Sequence, residues 1–133
     1  MNKVQSASLT EINGMIRNDS GIWHKAGASG IDYTEGEKAE QYLKTVLSSL
    51  SDVSSLSSDL DRSVMDWSSE YHLSSSRANL LRSVVLERMD TVLELGCGCG
   101  ALTKYLGEQG IQVDAVEGSY TRAEIAKLRN RSH

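Results

Sequence analysis

The stretch VLELGCGCGALTKYL, Val92 to Leu106, constrains the fold of this chain more than any other. The run Thr91–Leu95 reads as a strand and carries one acid, Glu94. It meets Gly96, Cys97, Gly98, Cys99 and Gly100, and Ala101 to Glu108 then takes helical spacing with Leu102, Tyr105 and Leu106 inward. Gly110 is a helix stop, and Ile111 to Val116 alternates and is β-branched, which predicts a second strand. Ser119 or Tyr120 begins another helix that runs to about Asn130 and is basic near its C-terminus, as the helix dipole favours. Strands that alternate with helices imply a parallel pair joined by a right-handed crossover.

A strand that enters such a turn and leaves as a helix makes a hollow lined by backbone. Gly96 permits a sharp turn with positive φ, Gly98 lets a ligand approach the main chain, and Gly100 allows close packing of helix on strand. The free N–H groups near Ala101 point into the same space. Turns of this kind hold nucleotide-like cofactors. GCGCGA also meets the dinucleotide pattern through Gly96, Gly98 and Ala101, so an NAD(P)- or FAD-binding oxidoreductase competes.

Glu94 separates the two readings. A carboxylate at the end of a strand expected to be buried on both faces is costly unless something pairs with it. A phosphate would add repulsion, whereas a cationic group would relieve it. That chemistry points to S-adenosylmethionine as the cofactor. Glu117 ends the second strand, about twenty residues beyond the turn, where a carboxylate accepts hydrogen bonds from the ribose hydroxyls of either cofactor. Gly118 and Ser119 follow, placed to pass an adenine ring. Cys97 and Cys99 read as small side chains fitted to a tight turn: one intervening residue strains a disulfide, and a single Cys-x-Cys is a poor zinc site. No metal is expected.

Upstream, residues 1–33 read as a largely irregular arm with a short helix around Leu9–Ile16. Thr34 and Glu37 have the spacing of a capping box, and Ala39, Tyr42, Leu43, Val46, Leu47 and Leu50 make one apolar helical face. In the serine-rich segment Ser48 to Ser63, the recurrence of Leu50, Val53, Leu56 and Leu60 predicts short packed helical turns. A helix is expected from about Ser76 to Arg88, and Trp67 is read as core. Tyr71, His72 and Arg77 lie just before the first strand and are candidates to roof the pocket.

The division expected is an arm (1–33), a helical region (34–90) and a partial Rossmann-like cofactor-binding domain (91–133) in an α/β chain. Of the 133 residues, 39% are hydrophobic, enough for a modest core, and the net charge of -4 does not favour nucleic acid or an anionic membrane. No run reaches the roughly 18 apolar residues of a membrane helix, and the first residues lack the apolar centre of a signal peptide, so the expected compartment is cytoplasmic.

VLELGCGCGALTKYL resembles the first motif of class I S-adenosylmethionine-dependent methyltransferases, acid-x-Gly-x-Gly-x-Gly, and VDAVEGS resembles their second. The resemblance implies that Glu94, Gly96, Cys97, Gly98 and Gly100 hold the methionine end and that Glu117 binds the ribose. GIWHKAG, IDYTEGEKAE, DWSSEYHLSSSRANLLR and EGSYTRAEIAKLR extend the likeness to bacterial methyltransferases of surface-polysaccharide clusters, some fused to glycosyltransferases. The implied acceptor is a small molecule or saccharide. The family fold is a sheet of about seven strands covered on both faces, which takes roughly 200 residues. The expectation is therefore an N-terminal fragment, inactive alone, with weak cofactor binding, no nameable general base and a tendency to self-associate through exposed strand edges. A helical interaction module centred on residues 34–88 is the non-catalytic alternative.

Overall fold

The computed structural model describes residues 11–31, 34–84, 86 and 91–132. Among them the chain is mixed α/β, with six α-helices and two small sheets.

The N-terminal arm is an antiparallel sheet of three short strands: β1 (Glu11–Ile12), β2 (Met15–Arg17) and β3 (Trp23–Lys25). This corrects the short helix expected around Leu9–Ile16, of which Leu9 lies outside the described residues. Asn13 and Gly14 both have positive φ, at 50° and 75°. A two-residue Asn-Gly loop matches the right-handed twist of paired strands, and here it outweighs the helix-like spacing of Ile12, Met15 and Ile16.

Helix α1 (Glu37–Ser49) buries Leu43, Val46 and Leu47, the face the periodicity selects. Its start differs from the expected capping box. Gly36, at φ 111°, holds the N-cap position without a side-chain cap, and the Thr34 hydroxyl accepts instead from the Gly36 N–H at 2.9 Å. Helix α2 (Ser58–Arg62) is capped by Ser57, and α3 (Trp67–Leu73) by a reciprocal box between Asp66 and Ser69. In the serine-rich segment beyond α1, the expected packed helical turns reduce to α2 with its buried Leu60; Val53 is buried outside any helix, and Leu56 is exposed.

The helix expected over Ser76–Arg88 is much shorter. A 3-10 turn at Ser75–Ala78 leads into α4 (Asn79–Arg82), which ends at its C-cap Ser83; Val85 and residues 87–90 lie outside the described residues. Trp67 is not core. It opens α3 with 69% of its surface exposed, its ring stacked on Tyr71 at 5.6 Å between centroids.

The C-terminal part follows the expected order: β4 (Thr91–Leu95), α5 (Ala101–Glu108), β5 (Gln112–Val116) and α6 (Tyr120–Arg129). The strands pair in parallel, from Thr91 opposite Gln112 to Leu95 opposite Val116. Leu43, Val46 and Leu47 of α1, with Val53, Leu60 and Leu73, share one core cluster with Cys99 of the glycine turn and Ile125 of α6. The sheet stands at the edge of this core. Leu93, Leu95 and Val116 occupy one of its faces and are 63%, 75% and 51% exposed, so β4 is not buried on both faces as expected. No described helix is long and apolar enough to cross a membrane.

Gly100 fixes how α6 meets the glycine turn. At φ 78°, a Cβ there would stand 2.9 Å from the Ala126 Cα and 2.7 Å from the Asn130 amide nitrogen. Gly100→Ala is expected to lower unfolding free energy by about 3 kcal/mol, through left-handed strain plus the clash with α6. Gly14→Ala, with nothing within 4 Å, carries the strain alone and is expected to cost about 1–2 kcal/mol. Urea unfolding of both variants checks the difference; equal losses would remove the packing role from Gly100.

Candidate functional site

The glycine turn is held from below by β5: the Val116 carbonyl accepts from both Gly96 N–H and Cys97 N–H, at 2.8 and 3.0 Å. Gly96, Gly98 and Gly100 all have positive φ, which lets five residues reverse direction between β4 and α5. A Cβ at Gly96 would meet nothing, and one at Gly98 only the His72 Cε1, at 3.9 Å. The backbone at these two positions is open to a ligand. Gly100 behaves differently from its expected role: its missing side chain makes room for α6, not for helix-on-strand packing.

Above the turn lies a hollow of about 50 Å³. Its floor is Glu94, Gly96, Cys97, Gly98 and the start of α5, and its wall is Tyr71, His72 and Arg77. The structure thus brings together three residues from the helical region and the turn that sequence reading placed in one pocket. The Arg77 guanidinium stacks over the Tyr71 ring, 4.0 Å from its centroid.

Glu94 takes one hydrogen bond, from the Thr103 hydroxyl at 2.6 Å. Burial pushes its carboxyl above the usual value, and the Thr103 bond only partly opposes this. Among the described residues no Lys, Arg or His forms an ion pair with it. Glu117 is placed otherwise. One oxygen accepts from Gly98 N–H and the other from Ser119 N–H, each at 2.8 Å, so this carboxylate braces the turn against the end of β5. Each oxygen keeps a further lone pair for a ligand hydroxyl.

Ser119 is buried and caps α6, its hydroxyl accepting from Arg122 N–H. Gly118 lies under Ile31, whose N–H donates to the Gly118 carbonyl at 2.8 Å; a Cβ at Gly118 would stand 2.8 Å from the Ile31 side chain. Ile31, 70% exposed, therefore occupies the surface beside Gly118 where an adenine was expected to pass. Cys97 and Cys99 are free, buried thiols, and burial pushes both up to about 12, so neither supplies a thiolate near neutral pH.

Sequence reading did not single out Glu35. Its carboxylate accepts from His72 Nε2 at 3.2 Å, from Arg122 Nη2 at 3.0 Å and from the Ser68 hydroxyl. Burial alone would raise its pKa; the bonds from Ser68 and His72 and the charge of Arg122 outweigh this and hold it low. Burial also lowers the pKa of His72 against the pull of Glu35, which favours the neutral ring. Arg129, only 1% exposed, donates to the His72 carbonyl. Glu35 sits in a run that reads as a helix start, and nothing in its local spacing marks a partner at position 72 or 122.

Compared with protein-family models, curated proteins and solved structures, the chain matches none. The site is read from its own geometry.

The raised pKa of Glu94 has a consequence for stability. The folded state holds its proton more tightly than the unfolded chain, so its destabilising contribution is absent below the ordinary value of 4.5 and grows as pH rises through the folded-state value. Glu94→Gln removes that cost. The variant is expected to melt at or above the wild-type temperature at pH 7, with the gap closing below about pH 4.5. Thermal melts across pH test this; a variant that melts lower at pH 7 would show Glu94 to be a structural partner of Thr103.

Proposed function

We propose that this chain is the cofactor-binding part of a class I S-adenosylmethionine-dependent methyltransferase, with a Rossmann-like arrangement of β4, α5, β5 and α6. The observation that carries the reading is the half-buried Glu94 carboxylate beside an open glycine backbone, without a cationic partner among the described residues. Such a group is a stability cost unless a ligand supplies the positive charge. The α-ammonium of the methyl donor is that charge. The hollow of about 50 Å³ has room for the amino-acid end only, so the sulfonium and the nucleoside lie outside it, along Gly98 toward Glu117. When bound, the donor supplies an electrophilic methyl group; the chain's own residues orient its ends and shield the amino-acid head from water.

A pyrophosphate is a poorer fit. Glu94 would repel it, and the Gly98 N–H that would cradle it is given to Glu117. The acceptor belongs to the same proposal: a small molecule or saccharide, with a place beside glycosyltransferases in the cytoplasm.

NMR titration of the chain with S-adenosylhomocysteine is expected to shift the amide resonances of Gly96, Gly98 and Glu117 at millimolar ligand, while NADH leaves them in place. Shifts with NADH alone would favour the oxidoreductase reading.

The bare face of Leu93, Leu95 and Val116 supports self-association. Light scattering after size exclusion is expected to show mass rising with concentration, and Leu95→Lys to suppress the rise. A wild-type monomer at all concentrations would remove this part of the proposal.

A further inference from the structure

We propose that the groove between the β2–β3 loop, α1 and α6 is a second binding site, which takes the phosphoryl group of a phosphorylated small molecule. It is a cavity of about 480 Å³, within the roughly 300–1,000 Å³ of small-molecule sites. Ser20 of the loop, Lys44 and Ser48 of α1, Glu124 and Lys127 of α6, and Arg131 just beyond α6 line it. Three cations thus face one acid, and that acid is taken, since Glu124 pairs with Lys44 at 3.0 Å. A fourth cation reaches the same place. A Cβ on Gly21 would stand 3.6 Å from Lys127 Cε and 3.3 Å from Arg17 Nη2, so the two side chains flank one glycine. Neither Arg17 nor Lys127 forms an ion pair among the described residues, and Asp19 of the same loop pairs with neither. Like charges gathered in one place repel unless an anion joins them.

Structural duties account for only part of this cluster. Arg131 donates to the Leu47 and Leu50 carbonyls, at 2.9 and 2.8 Å, and so closes the C-terminal end of α1. Lys127, in the last turn of α6, suits the helix dipole. Arg17 comes from β2, and neither duty brings it to Lys127. A phosphate monoester carries roughly 1.5 to 2 negative charges and three acceptor oxygens, which matches cations and hydroxyls that arrive from three elements. A carboxylate has one charge and two oxygens, too few for the set. The net charge of -4 disfavours a nucleic-acid strand. No residue that lines the hollow at the glycine turn lines this groove, so the inference goes beyond the methyl-donor reading and does not rest on it.

The test titrates the full chain with inorganic phosphate, followed by NMR, beside succinate and sodium chloride at matched ionic strength. Phosphate is expected to shift the amide resonances of Gly21 and Lys127, to saturate at millimolar concentration and to leave Gly98 in place. Arg17→Gln and Lys127→Gln are each expected to weaken phosphate about tenfold. Glu124→Gln removes the acid and frees Lys44, and is expected to tighten phosphate about threefold. A gain of affinity does not arise from unfolding, so Glu124→Gln decides the point even if the other two variants fail to fold. Equal affinity of wild type and Glu124→Gln overturns the site. So do shifts that sodium chloride reproduces, succinate bound as tightly as phosphate, shifts at Gly98 instead of Gly21, or no response to phosphate. None of these outcomes bears on whether S-adenosylhomocysteine binds at the glycine turn, which its own titration decides.

Discussion

The arrangement depends on one carboxylate. Glu35 collects Ser68 and His72 from α3 and Arg122 from α6, with its side chain 16% exposed. A charge so placed is tolerated only while its partners stay, because removing one leaves the rest desolvated and unpaired. The segment before α1 is thereby tied to two helices far apart in sequence. Arg129 adds a second tie from α6 to the His72 carbonyl. These bonds set where α3 sits over the glycine turn, which brings the His72 ring to Gly98 and Tyr71 and Arg77 over the hollow.

Gly100 is the matching constraint on the other side. Its lack of a side chain lets α6 approach the turn, and the Asn130 amide donates back to the Gly100 carbonyl at 3.3 Å. The core cluster crosses the same junction, since Cys99 and Ile125 pack with Leu43, Leu47 and Leu60. The helical region and the strand–helix units therefore share one interior. Tyr71, His72 and Arg77 of the helical region wall the hollow whose other seven lining residues come from the strand–turn–helix unit, so the hollow exists only where the two meet.

The strand–turn–helix stretch was legible because its signals are local. Period-two alternation, helical spacing and glycine punctuation each act over a few residues, and β4, α5, β5 and α6 fall within a residue or so of their expected limits. The misses have local causes too. The Asn13-Gly14 loop was the readable hairpin signal, and weak helical spacing obscured it. Thr34 looks like a cap, but Gly36 turns the chain first. Trp67 reads as core in the sequence, whereas the first position of a short helix leaves it facing water against Tyr71.

The candidate site divides along the same line. By itself the sequence determined the open turn at Gly96 and Gly98, the acid at its mouth and the acid ending the next strand, because strand–glycine–helix chemistry acts through neighbours along the chain. Only the tertiary structure decided that Glu35 is the tether, that Gly100 serves α6, that Ile31 covers Gly118, and that Arg77 faces the same hollow as Glu94 without touching it. Each of those is a meeting between residues distant in sequence, and spacing along a chain carries no record of which buried charges will share a partner once the helices pack.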